Sequence, residues 1–396
     1  MTHFLSGNQI KLLRNGTDFF PALEAAIENA THEIYLQTYI YAVDKVGISI
    51  ANSLKRAALR GVIVNVLLDG FGCKDLPKSF VKELESAGVQ VMFYRPKISP
   101  WTFKKNRLRR LHRKLSVVDA KVAFIGGINI IDDYNVPNNV SPRIDYAVRI
   151  EGNLLPSIAA SAHRLWRHIA FIRLQSASVS VTQANHHSMP HEPSEHSVND
   201  GVKSNIRAAF VMRDNVLHRR DIENAYLSAI AHAHNEIIIA NAYFVPGRRF
   251  RKALLAAAKR GVMVKLLLQG RLEYFLMFAT HAFYSVFLKN NIKIYEYRKG
   301  FMHSKVAVID SEWATVGSSN IDPFSLLLAR EANVVVKNKA FAAELRADIE
   351  ASIQSDAYHV SSQEWENGHT MKRFISWLAF GLVRIFVGII GYSKEP

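Results

Sequence analysis

Two segments of this 396-residue chain carry the same reactive side chains at the same intervals. In HRKLSVVDAKVAFIGGIN, His112, Lys114 and Asp119 precede Gly126, Gly127 and Asn129. In HSKVAVIDSEWATVGSSN, His303, Lys305 and Asp310 precede Gly317, Ser318, Ser319 and Asn320. In both copies His to Lys is two residues, His to Asp seven, Asp to Gly seven and Gly to Asn three. A histidine can attack or move a proton, and lysine and asparagine can hold anionic oxygens. A small-residue turn lets the backbone approach a bound group and offer it N–H donors. Converging, these groups make a site for a phosphate ester. An ordinary core hairpin with a stray His and Lys would not repeat four intervals, nor twice place a lysine inside an apolar strand, where lysine is rare unless paired.

The period of two puts His and Lys on one face of a strand. The residues after each Lys, Leu-Ser-Val-Val and Val-Ala-Val-Ile, predict a buried strand. Lys121–Ile125 and Trp313–Val316 read as the hairpin partners. Upstream, residues 9–72 alternate strand and helix, an α/β pattern. Asn15-Gly16 is a turn, Asp18 is placed to cap the first helix, and EIYLQTYIY follows as a strand with Tyr35, Gln37 and Tyr39 on one face. Helices at Gly47–Arg60 and Ser79–Ala87 and strands in VIVNVLLDG and Val89–Tyr94 complete this half. The second half repeats it. EIIIANAYF echoes EIYLQTYIY, and RGVMVKLLLQG echoes RGVIVNVLLDG at an offset of 200 residues. The chain is therefore a duplicated domain, and a site needing two histidines forms where the halves face each other. The expected division is a first half at 1–174, a polar linker at 175–203, a second half at 204–365 and a tail at 366–396.

Composition bounds the partners. The net charge of +16 favours an anionic one, nucleic acid or an anionic membrane surface. The single cysteine, Cys73, excludes an intramolecular disulfide. No Cys/His spacing makes a zinc site, and the linker histidines (His186, His187, His191 and His196) read as solvated. The N-terminus has neither a signal-peptide core nor a spanning helix.

The paired His-x-Lys-x4-Asp-x6-Gly pattern resembles the phospholipase D superfamily. The words GGIN, VGSSNIDP, EANVVV and NAYFVPG are most similar to bacterial cardiolipin synthases, closest to the short B form without N-terminal membrane helices. The resemblance reaches about residue 360. It implies a duplicated α/β/α sandwich, two mixed-sheet halves forming a pseudo-dimer. It also implies a two-step phosphatidyl transfer through a phosphatidyl-histidine, with His112 as nucleophile and His303 as acid and base. The residues themselves leave those two roles open. Lys114, Lys305, Asn129 and Asn320 would hold the non-bridging oxygens, with Gly126, Gly127, Ser318 and Ser319 packed beneath. Asp119 and Asp310 belong to the catalytic motif but read as structural. The family has an acidic residue after each motif to orient a histidine. Glu331, 28 residues past His303, and Asp145, 33 past His112, fit that place. No cofactor or metal is implied, because two lysines supply the positive charge. Gly127 departs from the family pattern, where Ser is common.

Two stretches that differ between the halves are candidates to set the substrate: the basic run FKKNRLRRLHRK at Phe103–Lys114 reads either as a solvated face or as attracting phosphate headgroups, and the apolar LEYFLMFATHAFYSVFL at Leu272–Leu288 either as a buried helix or as a lipid-facing wall at the site mouth. The tail at Lys372–Lys394 is of spanning length, but Arg384 at its middle favours an amphipathic helix lying in the membrane interface. A true span ranks second and a packed soluble helix third. The expected partners are anionic phospholipid substrates and the inner face of the cell membrane, peripherally bound. No nucleic acid is expected, since there is no aromatic-and-basic track. The alternative within this fold is a hydrolytic phospholipase D or a nuclease.

Overall fold

The computed structural model describes residues 2–96, 109–136, 142–177, 205–271 and 279–367, with positions 378, 381 and 382 of the tail. The first half of the basic run, the first part of the apolar stretch, nearly all of the linker and nearly all of the tail lie outside the described residues.

The first half runs β1 (Leu5–Arg14), α1 (Asn15–Glu28), β2 (Glu33–Thr38), α2 (Lys45–Leu59), β3 (Ile63–Asp69), α3 (Lys78–Ser86), β4 (Gln90–Tyr94), β5 (Lys114–Val118), β6 (Val122–Gly126), β7 (Tyr146–Gly152) and α4 (Leu155–Ala177). The second runs β8 (Ile206–Arg213), α5 (Asp221–Ala231), β9 (Glu236–Asn241), α6 (Arg248–Lys259), β10 (Met263–Gln269), α7 (Tyr284–Leu288), β11 (Lys293–Tyr297), β12 (Lys305–Ile309), β13 (Trp313–Gly317), α8 (Pro323–Leu327), β14 (Glu331–Lys337), α9 (Lys339–Asp356), β15 (Ala357–Val360) and α10 (Ser362–Asn367). Helix α4 carries three residues past the start expected for the linker. Asp18 does not cap α1 from its N-cap position, which Arg14 holds; instead its carboxylate accepts the Arg14 N–H from within the first turn.

The fifteen strands among the described residues form one sheet, in the order β15-β11-β10-β9-β12-β13-β14-β8-β1-β7-β6-β5-β2-β3-β4. Read outward from the β8–β1 junction, the two halves repeat each other strand for strand, with β15 added at one edge. Strands β2, β3 and β4 pair in parallel, as do β9, β10 and β11, while the others are antiparallel. The halves are thus joined edge to edge by an irregular antiparallel β1–β8 pair rather than only packed together. They also share a core. Leu115, Ile125 and Val148 lie in one buried cluster with Val308, Val316 and Val334, closed by Ile158 of α4 and Leu345 of α9. Separate cores sit under α1 and α2 and under α5 and α6.

The motif hairpins turn on residues in the left-handed region, Asp119 and Ala120 in one and Asp310 and Ser311 in the other. That geometry matches the right-handed twist of the flanking strands. Each aspartate then pins the hairpin to the start of the neighbouring strand. Asp119 accepts from the N–H groups of Thr31, His32 and Glu33 at 2.8–2.9 Å. Asp310 accepts from those of His234, Asn235 and Glu236 at the same distances.

Candidate active site

Each motif histidine sits two residues before the lysine that opens the following strand, on a short extended segment outside the strand itself. That segment is held by the opposite half. Leu111 bridges Arg330, and Met302 bridges Ile144. His112 N–H donates to the Arg330 carbonyl at 3.0 Å, and His303 N–H to the Ile144 carbonyl at 2.8 Å. Because Arg330 precedes Glu331 and Ile144 precedes Asp145, the crossover carries the carboxylates with it. Glu331 meets His112 Nδ1 at 2.9 and 3.1 Å. Asp145 meets His303 Nδ1 at 2.6 Å. The acidic residue that follows each motif in sequence therefore serves the histidine of the other half. A carboxylate accepting at Nδ1 fixes the Nδ1–H tautomer and leaves Nε2 with its lone pair for chemistry.

Both lysines are buried, and each reaches back to the carbonyl of its own histidine, Lys114 Nζ to His112 at 2.7 Å and Lys305 Nζ to His303. Lys305 also lies 3.8 Å from Asp145. Burial pulls Lys114 down to about 7 and Lys305 to about 8, against the attraction of Glu331 and Asp145. Burial likewise lowers both histidines, His303 further, with Lys305 adding to the effect and Glu331 opposing it at His112. Asp145 is pushed up by burial, against Lys305. A site that penalises its own cations in this way is matched to an arriving anion.

The small-residue turns play a different part from the expected one. The N–H groups of Gly127 and Ser318 donate to the Tyr146 and Ala332 carbonyls at 2.9 and 3.0 Å, and that of Ser319 to Asn333 at 3.3 Å. These donors belong to the sheet and are not offered to an anion. Gly126 is glycine because a Cβ would enter the backbone of Tyr146 and Ala147. Gly127 and Ser318 differ for a reason in their acids. The Ser318 hydroxyl donates to Glu331 at 2.5 Å. A Cβ at Gly127 would instead lie 2.5 Å from Asp145 Oδ2 and 2.6 Å from its carboxyl carbon. The shorter acid comes closer to the chain and leaves no room for a side chain.

Asn129 is buried, its Oδ1 accepting from Ile40 N–H at 3.0 Å, which turns its amide NH2 away from that strand. Asn320 Oδ1 is buried without a partner among the described residues, and its amide makes a 3.5 Å contact with Ser325. Asp119 and Asp310, counted with the catalytic motif, lie at the opposite ends of β5 and β12 from the lysines. Each holds its hairpin turn through backbone N–H groups, the structural part and not the catalytic one counted with the motif. Other contributors escaped the motif reading. The Tyr39 ring packs against His112 at 4.9 Å, and Lys114 lies over it at 5.4 Å. Phe301 stacks with His303, and Arg143 lies over that ring. Asp69 accepts from Leu111 N–H at 2.7 Å and Gln269 from Met302 N–H at 3.3 Å, each holding the segment before a histidine. The repeated ends LLDG and LLQG of the two long apolar strands were the signal for that last pair.

A family model described as the cardiolipin synthase, PLD-like domain matches residues 23–141 and 226–353. Cardiolipin synthase B of Salmonella typhimurium (strain LT2) is 38% identical over 98% of this chain and 90% of its own length. The chain belongs to the PLD-like cardiolipin synthase family. The Escherichia coli K12 cardiolipin synthase B is 37% identical over the same shares, and the major cardiolipin synthase ClsA of Bacillus subtilis (strain 168) is 30% identical over 86% of this chain and 68% of its own. Among solved structures, phosphatidylserine synthase of Haemophilus influenzae Rd KW20 superposes with a TM-score of 0.69 at 15% identity, covering 97% of this chain and 95% of that one, a likeness of fold. Among the described residues, no helix is long and apolar enough to cross a membrane.

Proposed function

We propose that the protein is a cardiolipin synthase, a phosphatidyltransferase that moves the phosphatidyl group of one phospholipid, phosphatidylglycerol by preference, to a hydroxyl of another. The observation that carries this reading is the crossed pair of dyads, His112–Glu331 and His303–Asp145, around two buried lysines. Nε2 of one neutral histidine attacks phosphorus while the P–O bond to the glycerol headgroup breaks. The other histidine, protonated at Nε2, gives that proton to the departing alkoxide. The acceptor hydroxyl then loses its proton to this second Nε2 as its oxygen attacks phosphorus and the P–N bond breaks, which restores both histidines. The family resemblance gives the nucleophile's part to His112. Lys114 and Lys305 neutralise the non-bridging oxygens, with the Asn129 and Asn320 amides beside them. The bound phosphodiester in turn raises the lysines' proton affinity and keeps them charged. The substrates are anionic lipids of the membrane surface, met peripherally from the cytoplasmic face.

The test incubates the purified protein with phosphatidylglycerol vesicles in the presence of a chelator and separates the lipids. Cardiolipin that disappears with His112→Ala and with His303→Ala supports the reading. Phosphatidic acid alone would make the protein a hydrolase, and no lipid product would direct attention to other phosphodiesters.

A further inference from the structure

The two halves differ where the central strands leave the sheet. In the first half β1 ends at Arg14 and α1 begins at once at Asn15. In the second, seven residues, Asp214–Arg220 (DNVLHRR), separate the end of β8 at Arg213 from the start of α5 at Asp221. This loop leaves from the rim of the site, because Arg213 pairs in register with Glu331, the acid behind His112.

The loop is built to a fixed shape. The Asp214 carboxylate accepts from Val216 and His218 N–H at 2.8 and 2.9 Å, and the Asp214 N–H donates to the His218 carbonyl at 3.2 Å. Arg213 holds Asn215 at 2.9 Å and also bonds to the carbonyls of Leu327 and Ala329. His218 Nδ1 meets Asp221 at 2.7 Å. What this frame presents outward is apolar: Val216 is 67% and Leu217 81% exposed. Loop tips are ordinarily polar, and a rigid tip that holds two large aliphatic side chains in water is suited to an apolar phase.

Its surroundings are cationic. Arg330 and Arg110 occupy the positions that Ile144 and Phe301 hold around the other histidine. Arg109 Nε, Arg110 Nη1 and Arg330 Nε are shielded from water and have no hydrogen-bond partner among the described residues. Burial lowers Arg109, and repulsion from Arg95, Arg219 and Arg330 adds to it, which places these guanidinium groups within one another's field. An apolar tip beside this group of arginines, which Asp214 and Asp69 balance only in part, complements one surface, an anionic bilayer with phosphates at the level of the arginines and acyl chains beyond.

We propose that Asp214–Arg220 is a lipid-docking loop that inserts Val216 and Leu217 into an anionic membrane while the surrounding arginines engage headgroup phosphates, bringing the His112 side of the site mouth onto its substrate. This rests on the lipid-substrate reading above. The loop is a docking contact within the folded domain, separate from the tail.

The test uses the full chain with Leu217→Cys labelled by a polarity-sensitive fluorophore. Cys73, the only native cysteine, is 4% exposed and stays unlabelled. Leu59→Cys is the control: Leu59 is 77% exposed but sits at the end of α2, beside the start of β3 and away from the strand ends that carry the site. Vesicles of phosphatidylglycerol in phosphatidylcholine should shift the Leu217 label to the blue and expose it to a lipid-borne quencher, leaving the Leu59 label unchanged. Phosphatidylcholine alone should do neither. A Leu217 label that stays in water while the protein cosediments with anionic vesicles overturns the proposal, as does an equal shift on neutral vesicles or a failure to bind anionic vesicles at all. Scoring the same incubations for cardiolipin separates the two readings. Product formed with the Leu217 label still in water refutes the docking loop alone, whereas insertion without lipid product refutes the synthase reading alone.

Discussion

Replacing Gly127 with alanine adds one methyl group beside Asp145. The backbone at 127 is not in the left-handed region, so the substitution carries no conformational penalty of its own. The new Cβ, however, would lie 2.5–2.6 Å from Asp145 Oδ2 and its carboxyl carbon. Ordinary contact is about 1 Å longer, and Asp145 is buried on every side, so the carboxylate must move by about that much. Its 2.6 Å bond to His303 Nδ1 does not survive such a shift. His303 then loses its tautomer control and its orientation together, and turnover should fall about 10²- to 10³-fold. Overpacking should cost about 1–3 kcal/mol of stability, which leaves the variant folded at assay temperature. Lipid-product rates on phosphatidylglycerol vesicles measure the first effect and thermal unfolding the second. Ser318→Gly is the counterpart. It removes one donor from Glu331 without displacing the acid, so the loss should be about tenfold. A folded Gly127→Ala protein with activity within about threefold of the parent would refute the argument that Gly127 makes room for Asp145.

Three further outcomes follow from the same geometry. Glu331→Gln, although it lies in the second half, should impair the chemistry of the first-half histidine. With a radiolabelled donor lipid, attachment of label to His112 should fall. Asp310→Ala should leave kcat within about threefold while costing about 2 kcal/mol of stability, because its carboxylate accepts three backbone N–H bonds far from the lysines. Burial works against this carboxylate, but those bonds outweigh it and depress its pKa. Its contribution is therefore present above the usual carboxylate range and fades as pH falls through the depressed value, which denaturant midpoints between pH 2 and 6 would trace. Finally, kcat/KM should decline as pH rises through about 7 to 8, where Lys114 and Lys305 of the free enzyme lose their protons. The unliganded fold should move the opposite way. An unfolded chain binds more protons at these lysines than the native one between that range and about 10, so stability rises with pH there.

Much of this molecule is written in local pattern. The strand–helix alternation, the two hairpins and the duplication appear in period-two runs and echoed words, because each hairpin must bury an apolar face whatever surrounds it. The chemistry of His112, Lys114, His303 and Lys305 is legible for a related reason. A lysine inside an apolar strand is costly to bury, so its presence twice at one spacing points to chemistry. The basic and apolar stretches were also visible in sequence, and only Arg109–Lys114 of the first and Ala279–Leu288 of the second are described; in the second, Ala279, Phe283, Tyr284 and Phe287 are buried in the core under α5 and α6.

Tertiary structure decided the rest. Spacing along the chain puts Glu331 after His303 and Asp145 after His112, yet only the pairing of Leu111 with Arg330 and of Met302 with Ile144 assigns each acid to the other half's histidine. The turn N–H groups looked free for an anion because sequence does not show that β7 and β14 already take them. The missing hydroxyl at Gly127 looked like a loss in sequence and is a fit in space, since a one-carbon difference between Asp145 and Glu331 is felt only where the two side chains point. Sequence specifies which groups are present and what each strand must bury. Which group faces which depends on how the two halves dock, and that is set by contacts between residues some two hundred positions apart.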